Sequence, residues 1–282
     1  MGFWQWLRVV ILGIIEGITE WLPISSTGHL MLFSKIFPGD PAVFTDGFQS
    51  MFDVIIQLGA ILAVITIFFH RLNPVSSYKT KEQKRSTWML WLKILIAALP
   101  AGLVGVIADD WLDAHLGSPY ILASMLIVYG VVFIVVEVLR KSKEPTVLKL
   151  SEITIKSALF IGISQILALI PGTSRSGVTI LTALLLGCSR SVATEFTYFL
   201  AIPIMFGASA LKFFKYVFID NLTMSATQWI ALFLAMAVAY GVSMLVIRTF
   251  LKFIKKHDFT PFGVYRIVFG VVIILIFSLF LS

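Results

Sequence analysis

The stretch EGITEWLPISSTGH, residues 16–29, places two carboxylates, a run of hydroxyls and a histidine inside an otherwise aliphatic segment. Glu16 and Glu20 are spaced i and i+4, so on a helix both side chains project from one face. Like charges that close in apolar surroundings are costly unless positive charge lies between or beside them. A hard divalent cation, Mg²⁺ or Ca²⁺, suits carboxylate oxygens, and the pair reads as its ligands. A protonated glutamate bonded to its neighbour is the bland alternative, set second because acids within a membrane usually mark a substrate or ion path. After Pro23, Ser25 or Ser26 is a natural helix N-cap. A helix that starts there also exposes free N–H groups and a positive dipole end, which attract an anion. His29 follows Ser26 by three residues, falls on the same side of such a helix, and could take or give a proton.

A second stretch, PGTSRSG at 171–177, supplies the missing positive charge. Arg175 sits among Thr173, Ser174 and Ser176 at another helix start. Its planar guanidinium can fork onto phosphate oxygens and keeps its charge in any surroundings. A structural bridge from Arg175 to Glu16 or Glu20 is the competing reading. Two helix starts, hydroxyls Ser25, Ser26, Thr27, Thr173, Ser174 and Ser176, an arginine and a carboxylate pair describe a phosphate site better than a strut. Asp53 and Gln57, one turn apart, read either as supports behind these groups or merely as helix-end polar groups, and Gln165 is expected to bond the broken backbone of the second stretch.

The chain that must position them has 282 residues, 59% of them hydrophobic and 13% charged, and a mean hydropathy of +0.96. That composition excludes a soluble domain and makes the bilayer the solvent. Apolar segments are read at about 3–22, 24–36, 52–70, 88–108, 119–139, 155–170, 174–188, 193–214, 227–250 and 261–281. Most reach the roughly 20 residues that a spanning helix needs. Segments 24–36 and 174–188 do not, and each follows a proline and a hydroxyl cluster. They read as the returning limbs of two re-entrant hairpins, whose irregular backbone survives only where protein or water covers it. Residues 1–22 carry both glutamates and no small-residue cleavage site, unlike a signal peptide. One cysteine, Cys188, rules out an internal disulfide framework.

The net charge of +7 is read as the orientation signal of a membrane protein, with no nucleic-acid partner. Basic stretches 71–87, 140–152 and 248–258 fall on one face, which becomes cytoplasmic, while the loop 109–118 carries Asp109, Asp110 and Asp113. The first hairpin then enters from outside and the second from the cytoplasm. Pro23 aligns with Pro171, Ser25 with Thr173, Ser26 with Ser174 and Thr27 with Arg175, and three long apolar segments follow each stretch. The expectation is one all-α integral membrane domain with about six transmembrane helices and two re-entrant helical hairpins. Its halves, 1–140 and 150–282, form an inverted-topology repeat joined by a basic linker. Trp4, Trp6 and Trp21 read as interface anchors, and Glu137 and Glu195 as helix-end acids that snorkel.

EGITEWLPISSTGH, followed in order by FDVIIQLGAILAV (52–64), PGTSRSG (171–177) and FLAIPIMFGA (199–208), resembles the bacterial undecaprenyl-diphosphate phosphatase family linked to bacitracin resistance. The resemblance covers nearly the whole chain. It implies a multi-pass hydrolase of the bacterial plasma membrane that removes the terminal phosphate of a C55 polyprenyl diphosphate, a carrier lipid of cell-wall synthesis. The family's acidic motif falls on Glu16 and Glu20, its serine and histidine on Ser26 and His29, its arginine on Arg175, and its divalent-cation use agrees with the carboxylate pair. The other class of membrane lipid phosphatase forms a phosphohistidine and needs a second histidine beyond its arginine; after Arg175 the next is His257.

The expected mechanism has the diphosphate bridged by the metal and clamped by Arg175, with Ser26 or a water attacking in line and His29 moving the proton. The expected partners are the polyprenyl diphosphate and membrane lipids, with room left for a homodimer. The active site is expected to face outside. A transporter or flippase of polyprenyl phosphate lipids is the rival reading, since broken helices in inverted repeats are what secondary transporters use.

Overall fold

The computed structural model describes residues 1–280, and among them the chain is helical, with a single isolated β-bridge between Val147 and Cys188. The side chains of Asp109, Asp110 and Asp113, expected to mark the acidic face, lie outside the described residues. Helices α1 (Phe3–Thr19) and α2 (Ser26–Ile36) form the first hairpin. Next come α3 (Asp46–Ile55), α4 (Gln57–Ile67), the short α5 (Phe69–Leu72), α6 (Lys81–Leu116) and α7 (Pro119–Arg140). The second hairpin is α8 (Ile155–Ser164), a 3₁₀ turn Gln165–Leu169 and α9 (Arg175–Leu185). It is followed by α10 (Arg190–Phe214), α11 (Ala226–Ile254) and α12 (Thr260–Phe280).

Six helices among the described residues are long and apolar enough to cross a bilayer: Asp46–Ile67, which runs through α3 and α4, Lys81–Ala108, Pro119–Arg140, Arg190–Ile219, Ala226–Ile254 and Thr260–Leu279. The expected number of spans is met, and the protein is a multi-pass membrane protein. Helices α2 and α9 have 11 residues each. At 1.5 Å per residue they extend roughly 16 Å, half of a ~30 Å hydrocarbon core. Along α6, Leu92, Leu95, Leu99, Leu103 and Val106 are exposed; in a bilayer that apolar stripe faces lipid.

Several boundaries differ from expectation for local reasons. Helix α6 starts at Lys81, inside the expected loop 71–87, because Thr80 and Gln83 make a reciprocal capping box. It continues to Leu116 and absorbs most of the expected loop 109–118. Trp21 is no interface anchor: it is fully buried and packs edge-on against Tyr198, ring centres 5.1 Å apart. Glu137 does not snorkel either. It is buried, accepts a fork from Arg190 and a hydrogen bond from the Phe259 amide at 3.0 Å, and so fastens α7 to the starts of α10 and α12.

The hairpins pack by exchange: α1 lies along α11, and α8 lies along α6. Both crossings are tight because glycines meet backbone. A Cβ at Gly13 or Gly17 would stand 2.6 or 2.8 Å from the carbonyls of Ala235 or Ala239, and one at Gly162 2.2 Å from that of Ala97. Helices α7 and α12 cross reciprocally, each of Gly130 and Gly263 facing the other's carbonyl at 2.7 Å for an added Cβ. Without water to drive association, small residues that let helices approach closely supply the packing.

The basic stretches share one end of the bundle. Arg140, Lys141, Lys143, Arg190 and Lys255 line one cavity there of about 650 Å³, and Arg71, Lys79, Arg85, Lys93 and Lys149 line another. Arg71 pairs with Glu195 at 2.8 Å, and Arg140 donates to the Cys188 carbonyl at 3.2 Å. Cys188 itself is buried between α9 and α10. Burial pushes its thiol up to about 11, against a smaller opposing pull from Arg140. The reactive thiolate is therefore scarce at neutral pH. A thiol reagent at pH 7.5 is expected to leave Cys188 unmodified in the detergent-solubilised native protein and to modify it fully after denaturation; rapid native labelling would mean that this end of the bundle opens.

Candidate active site

The two hairpins turn in the same way. Ser25, the residue before α2, has φ 71°, and Ser174, before α9, has φ 70°. Side chains other than glycine seldom adopt positive φ, and such positions hold strain of about 1–3 kcal/mol that surrounding contacts must offset. The structure thus matches Ser25 with Ser174 and Ser26 with Arg175, one residue away from the sequence alignment. The extra residue in the second turn is Gly172, at φ 90°, where a Cβ would lie 2.1 Å from the Leu122 carbonyl. The caps differ as well. Ser174 Oγ accepts from the Gly177 amide at 3.2 Å, whereas the Ser25 side chain caps nothing.

Between the turns lies a cavity of about 100 Å³. The first half contributes Thr19, Glu20, Ser25, Ser26, Thr27 and Gln57, and the second contributes Ala168, Pro171, Gly172, Ser174, Arg175 and Ser176. Ser26, 8% exposed, donates its Oγ–H to Glu20 Oε2 at 2.6 Å. The other oxygen of Glu20 accepts from Arg175 Nη2 at 3.0 Å, and Arg175 Nη1 donates to the Thr197 carbonyl at 3.2 Å. The bridge weighed against a phosphate clamp is therefore made, and it is made inside the cavity. A short hydrogen bond from a hydroxyl to a carboxylate is the arrangement in which the carboxylate can take the proton.

Glu16 is fully buried, and neither of its oxygens has a hydrogen-bond partner among the described residues. Glu20, Asp53 and Arg175 all lie within electrostatic reach of it. A buried carboxylate without a donor requires a proton or a cation. With Glu20 one turn away, the two carboxylates are donors of the type that a hard divalent cation takes. Among the described residues no three His, Cys, Asp or Glu side chains converge as a metal-binding group, so two carboxylates are what the chain offers.

The remaining expected residues divide. Ser25, Thr27, Ser174 and Ser176 line the cavity with Arg175, and so does Gln57. Thr173 does not; it is fully buried. Asp53 accepts from Gln49 at 2.7 Å, and Gln49 from Arg8 at 2.9 Å, a network behind the cavity wall. Gln165, expected to bond the broken backbone, is buried with no partner for its amide among the described residues. His29 is outside the cavity lining: its Nδ1 meets the Ser25 carbonyl at 2.8 Å and its Nε2 the Tyr265 hydroxyl at 2.7 Å.

Sequence reasoning passed over Arg266. It lies in α12, is fully buried, and donates from Nη1 to the Pro23 carbonyl at 3.1 Å. Its Nη2 donates to the carbonyls of Gly172 at 2.7 Å and Thr173 at 2.9 Å. Tyr129 and Phe133 flank the guanidinium, at 5.8 and 6.0 Å from their ring centres. One side chain so ties both broken turns together. The signal for it was present: an arginine in the middle of an apolar run, as for Arg8 in 3–22, is expensive and marks a function.

The chain matches the family model described as bacitracin resistance protein BacA over residues 9–272. It is 51% identical over 274 residues to a Streptococcus mutans protein named undecaprenyl-diphosphatase, covering 97% of this chain and 96% of the relative. Relatives of the same name from Enterococcus faecalis and Streptococcus pneumoniae are 51% and 53% identical, with 95% of each chain covered in both cases.

Arg266→Met keeps the apolar length of the side chain but leaves the Pro23, Gly172 and Thr173 carbonyls without their donor. Each orphaned carbonyl costs about 1–3 kcal/mol, so thermal unfolding in detergent should shift down clearly, with loss of activity. An unchanged unfolding midpoint would show that the turns are held without the guanidinium.

Proposed function

The chain belongs to the BacA family of bacitracin resistance proteins, and from that premise we infer that it is a membrane hydrolase that converts undecaprenyl diphosphate to undecaprenyl phosphate and inorganic phosphate. This recycles the carrier lipid of cell-wall synthesis and confers bacitracin resistance. The observation that carries the reading is the Ser26–Glu20–Arg175 chain of hydrogen bonds inside a cavity of phosphate size.

In the reaction that this geometry supports, the terminal phosphate of the substrate enters between the two turns. Ser26 Oγ attacks its phosphorus as Glu20 takes the hydroxyl proton, the bridging P–O bond breaks, and the lipid monophosphate leaves. A water then attacks the serine phosphate, the bond from phosphorus to Ser26 Oγ breaks, Glu20 gives its proton back to that oxygen, and inorganic phosphate leaves. Arg175 orients Glu20 and offers its charge to the phosphoryl oxygens. Phosphoryl transfer is catalysed mainly by positioning and by neutralising negative charge. The free amides at the start of α2, which Ser25 leaves uncapped, add to the anion site. Glu16 and Glu20 would hold a divalent cation, Mg²⁺ or Ca²⁺, and its charge would offset that of the diphosphate. Every group named comes from one chain, so the chemistry does not call for a homodimer.

The exchanged packing of the hairpins, their matching left-handed serines and the three long spans that follow each support two inverted halves, 1–140 and 150–282, with re-entrant hairpins meeting at mid-depth. The common basic end supports a cytoplasmic assignment there, which turns the first hairpin toward the outside. The transporter reading is not favoured, since the relatives are named for diphosphatase activity.

Purified protein in detergent should release inorganic phosphate from a polyprenyl diphosphate, less so with a chelator; no release would leave only transport. In that assay Arg175→Lys is expected to lose about a hundred-fold or more, nearly as much as Arg175→Ala, because lysine lacks the planar fork. Near-normal turnover in the lysine variant would reduce Arg175 to a distant charge. For sidedness, Thr27→Cys in a Cys188→Ser background should be labelled in intact cells by a membrane-impermeant thiol reagent and protected by substrate. Labelling only in inverted vesicles would reverse the orientation.

A further inference from the structure

His29 has the residue type of a proton carrier, but its ring faces away from the reaction. It stacks on Phe269 at 4.1 Å between centres and lies nearly parallel to Tyr265 at 5.8 Å. A carbonyl can only accept, so Nδ1 of the ring carries the hydrogen that meets the Ser25 oxygen at 2.8 Å. In a neutral ring Nε2 is then the acceptor, and the Tyr265 hydroxyl donates to it at 2.7 Å. Ser25, whose carbonyl is gripped, is the residue at φ 71°, and it immediately precedes Ser26. Meanwhile the proton of Ser26 already has a taker, Glu20, at 2.6 Å.

We propose that His29 and Tyr265 are positioning residues: Tyr265 sets the tautomer and tilt of the His29 ring, and the ring's Nδ1–H holds the left-handed Ser25 turn that aims Ser26 at Glu20. The proposal rests on the reading of Ser26 and Glu20 as the reacting groups. Its physical basis is that a strained turn persists only when neighbours over-determine it. The Ser25 side chain gives no help, since it makes no cap, unlike its counterpart Ser174, whose hydroxyl holds the Gly177 amide. The first turn is therefore held by a ring one helical turn further on, where the second is held by its own cap hydroxyl. Tyr265 and Arg266 are neighbours on α12, so one helical turn delivers both the grip on the Ser25 turn and the tie between the two hairpins.

The test compares His29→Asn, His29→Ala, Tyr265→Phe and the His29→Asn/Tyr265→Phe pair in steady-state phosphate release by the full-length protein. Asparagine places an N–H near the position of Nδ1 and cannot carry a proton. His29→Asn is expected to stay within about five-fold of wild type in kcat, whereas His29→Ala loses about thirty-fold or more with KM little changed. Tyr265→Phe should lose about three- to ten-fold in kcat. The double variant should match His29→Asn alone, because the asparagine amide stops short of the Nε2 position to which Tyr265 donates. Overturning results are a His29→Asn protein as inactive as His29→Ala while unfolding at the wild-type temperature, or Tyr265→Phe at full wild-type rate. If His29→Ala does not fold, the asparagine and phenylalanine variants decide in the same way. Ser26→Ala, run alongside, separates the two claims: if it retains activity the reading of the reacting groups fails, and if it is dead only the positioning claim is at stake.

Discussion

A guanidinium with no carboxylate paired to it among the described residues holds this molecule's centre in place. Arg266 is fully buried in α12, and its two terminal nitrogens donate to three backbone carbonyls from two broken helices. Both requirements of broken backbone in an apolar interior meet there: its freed carbonyls need donors, and the donor's charge needs partial negative charge around it. Remove the arginine and each turn has unpaired backbone in an apolar interior. Remove the turns and the arginine has no reason to be buried. The two features stabilise each other, and the cavity is the space that they leave between them.

Everything around that tie works to keep it rigid. The Gly130–Gly263 crossing brings α12 against α7 within one turn of Arg266, and Phe133 from α7 flanks the guanidinium. The exchanged contacts α1 with α11 and α8 with α6 tie each hairpin to a long helix from the other part of the sequence, while α9 also packs on α10. A shift of either half therefore moves both turns, and the distances between Ser26, Glu20 and Arg175 depend on the whole bundle. The electrostatics are equally shared: Ser26 and Glu20 belong to the first hairpin, and Arg175, which donates to Glu20, comes from the second.

Much of this was legible in the chain itself. Proline followed by hydroxyls and an apolar run too short to span is a local signal, and it located both turns. Glu16, Glu20 and Arg175 stood out because charge in such surroundings is expensive. What escaped was azimuth and depth. Which way His29 points around α2 depends on Tyr265, 236 residues away, and Trp21 turns inward because Tyr198 from α10 receives it. The inserted Gly172 shifts the match between the two turns by one residue, which no alignment anchored on the prolines can show. Arg266 was hidden by habit, since one charge in a long apolar segment passes for a tolerated exception, and its partners lie 93 to 243 residues away.

The size of the cavity has a consequence for what the protein can read in its substrate. About 100 Å³ between the turns admits a phosphate group and leaves no room for fifty-five carbons of tail. The isoprenoid chain must then run in the lipid phase, along outward-facing residues such as Leu99 and Leu103. Such residues are apolar, and a hydrophobic wall discriminates poorly between chains that differ by a few carbons. Recognition is confined to the anionic end of the molecule, and the membrane, by gathering long-chain lipids in two dimensions, does the selecting that the protein's own walls do not.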